Sequence, residues 1–246
     1  MQEAAAAAVE QIAESPYGLI PMWRDGNIVS RSTLIILVVM SLASWFIIFM
    51  KVWDQRKLRN AALAAEGKFW TAGSIKDAIE RLPKGDPFRM IAEDGVRAAS
   101  HHEGRLTDRI DMHEWITMSL QRSADNVTSG LNSGLAFLAS VGSTAPFVGL
   151  FGTVWGILQA LIAIGVAGQA SIDKVAGPVG EALIMTAIGL VVAVPAVMGY
   201  NWLIHRNKTV LDKVRSFTAD LHAYLVSGAR VATNQVASAA PTVVKK

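Results

Sequence analysis

The residues of this sequence that invite a chemical role are few and sit in greasy surroundings. Thr153 and Gln159 fall in one long apolar run, and Glu181, Thr186 and Asn201 fall in or beside the next. A carboxylate at the centre of a membrane helix costs on the order of 2.5–3.5 kcal/mol on insertion scales, so it faces a polar cavity or a partner. Glu181 is therefore the residue to explain. Two readings stand at this point. Pro178, Val179 and Gly180 precede it, so Glu181 fits a first helical turn where the macrodipole favours an anion. Alternatively it lines a polar cavity, which must be wide, because Thr186 lies five positions on and roughly 140° around an ideal helix. Either threonine taken alone is readily explained by a bond back to its own i−4 carbonyl.

Other chemistries find no support in the residue pattern. There is no cysteine, hence no thiolate site and no disulfide framework. His113-Glu114 lacks the second histidine of a zinc-protease helix, and His101 and His102 are neighbours that point in different directions on a helix; no metal site is expected. Gly149 and Gly152 are not followed by the Lys-Ser/Thr of a phosphate loop. No serine, histidine and acid arrangement stands out, so neither an enzyme nor a cofactor is expected. Twenty-three basic against 20 acidic residues leave a surplus of +3, too small for a nucleic-acid stripe.

The elements that must position these residues are membrane helices. Only 17% of the 246 residues are charged, below the quarter or so of an ordinary soluble domain. Residues 32–50 carry no charge, 127–172 form a second uncharged run, and 182–204 a third; about 20 apolar residues span a bilayer. Lys51, Arg56, Lys57 and Arg59 follow the first run, and Arg206, Lys208, Lys213 and Arg215 follow the third, so both flanks belong in the cytoplasm. The middle run then makes one crossing as a long helix whose first turns stand in water.

The expected order is a periplasmic arm over 1–31, a membrane helix over 32–53, and a cytoplasmic helical region over 54–126. A long helix over 127–165 contains the second span, 166–178 is a periplasmic loop, 179–204 the third span, and 205–246 a cytoplasmic helix with a disordered tail. The arm lacks the basic and long apolar regions of a signal peptide. Ser74 with Asp77 predicts a helix cap, as does Asp86 before Pro87; His101, His102 and Gly104 mark a turn.

Small residues recur at three- and four-residue spacing: Ala145, Gly149, Gly152, Gly156, Ala160 and Ala163 in the middle helix, and Ala182, Thr186, Gly189, Ala193 and Ala196 in the third. In lipid, where water no longer drives association, such stripes let two helices approach closely. Pro146 and Pro195 are expected at bends.

The segments APFVGLFGTVWGI at 145–157 and AGPVGEALIMTAIGLVVAVPAVMGYN at 176–201 closely resemble the ExbB/TolQ proton-channel family, whose flagellar MotA members are more distant relatives with a different helix count. The VAGPVGEALIMTAIG stretch looks more like the ExbB branch than the TolQ branch. The resemblance implies an all-α, three-span protein of the bacterial inner membrane, assembled as a homo-oligomeric ring, a pentamer, around a dimer of ExbD-like single-span helices and working with a TonB-like protein. It implies use of the proton-motive force to energise outer-membrane import of siderophores and similar cargo. The family's polar channel positions match Thr153, Glu181 and Thr186, with Gly149, Gly152, Gly156 and Gly189 allowing tight packing and Pro146 marking a bend. One carboxylate at one level cannot carry a proton across about 30 Å of hydrocarbon; the resemblance supplies the second titratable group as an aspartate of the ExbD-like helix. A TolQ-like subunit, a motility stator, and a membrane scaffold or channel without proton coupling are the other readings.

Overall fold

The computed structural model describes Trp23, residues 27–100, 111–167 and 172–228. Most of the N-terminal arm, the His101–Gly104 turn, the loop residues Gly168 and Gln169 and the C-terminal tail from residue 229 lie outside the described residues. The described residues are all helical, without strands. Helix α1 spans Ile28–Ala64 and passes into a short π-helical turn at Ala65–Phe69. It is followed by α2 (Ile75–Glu80), α3 (Pro87–Ser100), α4 (Met112–Asn132), α5 (Leu135–Ala167) and α6 (Ile172–Ser227). Among the described residues, three stretches, Ile28–Phe69, Met112–Val166 and Val175–Ser227, contain windows long and apolar enough to cross a membrane.

The helix boundaries have identifiable causes. Asn27 caps α1, its Oδ1 accepting from the Ser30 amide at 3.0 Å, so the first helix begins before its apolar run does. Ser74 Oγ accepts from the Asp77 amide at 3.2 Å, and Asp86 Oδ1 from the Phe88 amide at 2.8 Å, as the sequence predicts.

Two expectations are corrected. Residues 127–165 do not form one helix: Asn132 ends α4, and Gly134, at φ 78°, turns the chain into α5. That left-handed conformation is costly for any residue with a Cβ. The segment 166–178 is not all loop either, because α5 continues to Ala167 and α6 already begins at Ile172, so Pro178 lies inside a helix.

The chain divides into two compact units, residues 1–51 with 134–204, and 52–133 with 205–246. Their cores are built on opposite principles. In the first, the buried cluster is Leu37, Val141, Ala145, Val192, Ala193 and Ala196, while the large side chains point outward: Leu42, Phe46, Phe49, Phe147, Val191 and Met198 are each more than 60% exposed. Hiding alanine and showing phenylalanine is unfavourable in water and natural in lipid, where close contact replaces the hydrophobic effect.

The second unit has the opposite arrangement. Phe69, Phe88 and Phe217 are buried, with Phe217 edge-on to both others at 5.1 Å between ring centroids. Leu58, Leu82, Ile91, Ile116, Leu120 and Leu221 complete a core of the kind that water drives together. Buried amides meet there as well: Gln55 Nε2 donates to Asn207 Oδ1 at 2.6 Å, and Asn207 Nδ2 donates to the Leu131 carbonyl at 3.3 Å and Asn132 Oδ1 at 3.2 Å. This hub ties α1, α4 and α6 at one level.

Candidate functional site

The site begins at the seam between α5 and α6, which run antiparallel. A Cβ added at Gly149 would stand 2.7 Å from the Met185 carbonyl and 3.1 Å from Gly189 Cα; one added at Gly189 would stand 2.8 Å from the Ala145 carbonyl. At Gly156 it would meet Ala182 Cβ at 2.9 Å. Backbone lies directly on backbone here, and side-chain rearrangement cannot relieve the crowding. Gly152 faces Met185 Cβ and Thr33 Cγ2, bringing α1 to the same level. Pro146 interrupts the hydrogen-bond ladder without ending α5.

Close approach places the two threonines in contact. Thr153 Oγ1 lies 2.9 Å from the Ala182 carbonyl and 3.2 Å from its own-helix Gly149 carbonyl, and it is hydrogen-bonded to Thr186 Oγ1. A hydroxyl has one proton to donate. With Thr153 donating to a carbonyl, Thr186 donates to Thr153, and both protons are engaged. The i−4 carbonyl expected to hold an isolated membrane threonine is within reach of Thr153, but it competes for the single proton with the nearer Ala182 carbonyl across the seam, and it does not explain the contact with Thr186.

Glu181 immediately precedes Ala182, whose carbonyl takes part in this cluster, and is half-buried. With α6 starting at Ile172, Glu181 lies more than two turns inside the helix. The macrodipole acts over the first turn, so a helix-terminus role does not account for this carboxylate. Thr153 and Thr186 are therefore brought together, with Glu181 on the neighbouring turn of α6. Gly149, Gly152, Gly156 and Gly189 all lie in close interhelical contact.

Sequence reading missed Thr33, which is 3% exposed and packs at Gly152; the signal was a polar residue in the opening turns of the first apolar run. It also missed the Asn207 hub, whose partners are far apart in the chain. Among the described residues no group of three or more His, Asp or Glu side chains is placed to hold a metal ion. The seam orders hydroxyls beside a carboxylate in an apolar layer.

Comparison with known proteins gives this seam its context. Residues 86–216, more than half the chain, match the model of the MotA/TolQ/ExbB proton channel family. The "Biopolymer transport protein ExbB" of Xanthomonas campestris pv. campestris (strain B100) is 45% identical over 212 residues, covering 82% of this chain and 84% of that protein. The protein of the same name from Neisseria meningitidis serogroup A is 33% identical over 84% of this chain and 96% of its own length. The "Tol-Pal system protein TolQ" of Pseudomonas aeruginosa is 32% identical, covering 83% and 92%. The relatives' names are those of a biopolymer transport protein and a Tol-Pal system protein. With its three apolar helices and its close-packed, hydroxyl-bearing seam, the chain belongs to the MotA/TolQ/ExbB proton channel family.

Proposed function

We propose that this protein is the ring-forming subunit of an inner-membrane, proton-driven motor of the ExbB type. Its N-terminus faces the periplasm and its C-terminus the cytoplasm, following the Lys and Arg flanks of the first and third apolar runs. Several copies, five in this reading, surround two single-span partner helices of the ExbD kind. The half-buried Glu181 and the Thr153–Thr186 pair line the face toward those partners. The observation that carries this reading is the hydroxyl pair at the α5–α6 seam, set beside a carboxylate deep within α6.

The partner's own carboxyl group completes the route. It takes a proton from one side, is neutral while it passes the apolar layer, and releases the proton on the other side. Thr153 and Thr186 offer oriented hydroxyls at its level, and Glu181 sets local charge and hydration. A proton falling through the membrane potential releases about 2.3 kcal/mol per 100 mV. That energy shifts the inner helices against the ring and, through a TonB-like protein, drives outer-membrane import of siderophores and similar cargo.

Glu181→Gln, Glu181→Ala and Thr153→Ala in a strain dependent on siderophore uptake test the proposal. Loss of energised uptake at normal protein level is the expected result; normal uptake by Glu181→Ala removes Glu181 from the mechanism. The mass of the detergent-extracted complex reports the copy number and whether a small single-span partner is held. A TolQ-type role is the second reading, supported by the 32% identity to the Pseudomonas protein. Detergent sensitivity of a deletion strain with intact iron uptake would favour it.

A further inference from the structure

The second unit holds a pair of histidines that the seam does not use. His113 stands in the first turn of α4, two turns before Leu120, and His222 follows Leu221 near the end of α6. Leu120 and Leu221 are both buried and meet over Gly95 of α3, where an added Cβ would lie 2.8 Å from Leu120 and 3.5 Å from Leu221. At the other end of the same antiparallel pair, Asn207 is bonded to Leu131 and Asn132. Two fixed levels set the register, and that register brings His113 Nδ1 to 3.0 Å from His222 Nε2, with the ring centroids 4.6 Å apart.

Thr117 spends its O–H on the His113 carbonyl at 2.8 Å, so its oxygen can only accept from His222 Nε2, 3.0 Å away. His222 therefore carries its proton on Nε2. His113 Nδ1, facing the same atom, presents a lone pair. One N–H serves two acceptors, and two imidazole nitrogens converge on one point at a solvent-facing edge: His113 and Thr117 are exposed and His222 half-buried.

We propose that His113 and His222 form a two-nitrogen clamp for a divalent transition-metal cation, joining α4 to α6. The aquo cation exchanges two waters for the two nitrogens, and the proton of His222 moves from Nε2 to Nδ1. At metal–nitrogen distances of about 2.0 Å, nitrogens at a right angle stand about 2.8 Å apart and tetrahedral ones about 3.3 Å. The 3.0 Å separation lies nearer the right angle, with an N–metal–N angle of about 97°. Adjacent positions of a square-planar or tetragonal ion, Cu(II) or Ni(II), fit that geometry best. Water fills the remaining positions, and Thr117 Oγ1 is placed to accept a hydrogen bond from one of them.

The full chain in detergent, titrated with Cu(II) alone, tests the clamp. One tight Cu(II) per chain is expected, with the superhyperfine pattern of two nitrogens in its electron paramagnetic resonance spectrum, a reading that needs only the unmodified protein. His113→Gln and His222→Gln should each weaken binding by at least the roughly 10–100-fold that even outer-shell partners contribute. The double variant His101→Gln/His102→Gln should leave it unchanged. Unchanged affinity in either single variant, loss of binding in the His101/His102 variant, or a spectrum without two nitrogens would overturn the assignment.

Discussion

Substituting Gly149 by alanine tests whether backbone contact sets the spacing of α5 and α6. The new Cβ would meet the Met185 carbonyl at 2.7 Å, Gly189 Cα at 3.1 Å and Thr186 Cα at 3.3 Å, all backbone atoms with no rotamer to yield. Restoring ordinary contact, near 3.5 Å, requires the helices to part by about 0.5 Å or more. The Thr153–Ala182 hydrogen bond, 2.9 Å at present, would then stretch beyond the normal O–H···O range. Overpacking costs about 1–3 kcal/mol and the hydrogen bond about 1, against about 1 returned by alanine's better helix propensity. A net loss of about 1–3 kcal/mol is expected, read as a lower midpoint in thermal unfolding of the detergent-solubilised protein. Gly165 in the same helix has nothing within 4 Å of its Cβ position and is the control; Gly165→Ala should be neutral or slightly stabilising. Gly189→Ala needs the same gap, so Gly149→Ala/Gly189→Ala should cost less than the sum of the singles. Stability of Gly149→Ala at or above that of the parent, or strict additivity of the pair, would refute a backbone-limited seam.

Three further outcomes are expected. Thr153→Val, which keeps the shape and removes the O–H, should cost about 0.5–1.5 kcal/mol in the same unfolding measurement, and Thr153→Ser should restore most of it. Asn207→Leu orphans the groups it binds on α1 and α4, at about 1–3 kcal/mol for each buried group left unsatisfied; a double-mutant cycle with Gln55→Leu should show strong coupling between the two positions. Ser74→Ala removes the cap of α2 and should lower stability by about 0.5–2 kcal/mol, with faster hydrogen exchange at the Asp77 amide, while the rest of the chain exchanges as before.

The parts of this fold that are legible in the sequence are those carried by short-range pattern. Three uncharged runs mark the apolar helices, and small residues every third or fourth position mark the face on which α5 and α6 meet, although that spacing does not foretell the contact of Thr153 with Thr186. The caps at Ser74 and Asp86 are equally local. What escapes depends on context that one sequence does not display. Gly134 ends a helix while Gly142 and Gly149 sit inside one, yet all three are glycines in a single uncharged run; only the positive φ at Gly134 separates them. Pro178 resembles a helix start and lies within α6 because the chain is already helical at Ile172. Asn207 and Gln55, 152 positions apart, and His113 and His222, 109 apart, become neighbours only through the packing of the second unit.

The hydroxyl pair at the seam has a polarity. Two touching hydroxyls share a single O–H between them, so the pair points one way or the other, and here the carbonyl of Ala182 favours the sense in which Thr186 donates to Thr153. That resting sense is decided by a main-chain oxygen, an acceptor that no side-chain substitution removes.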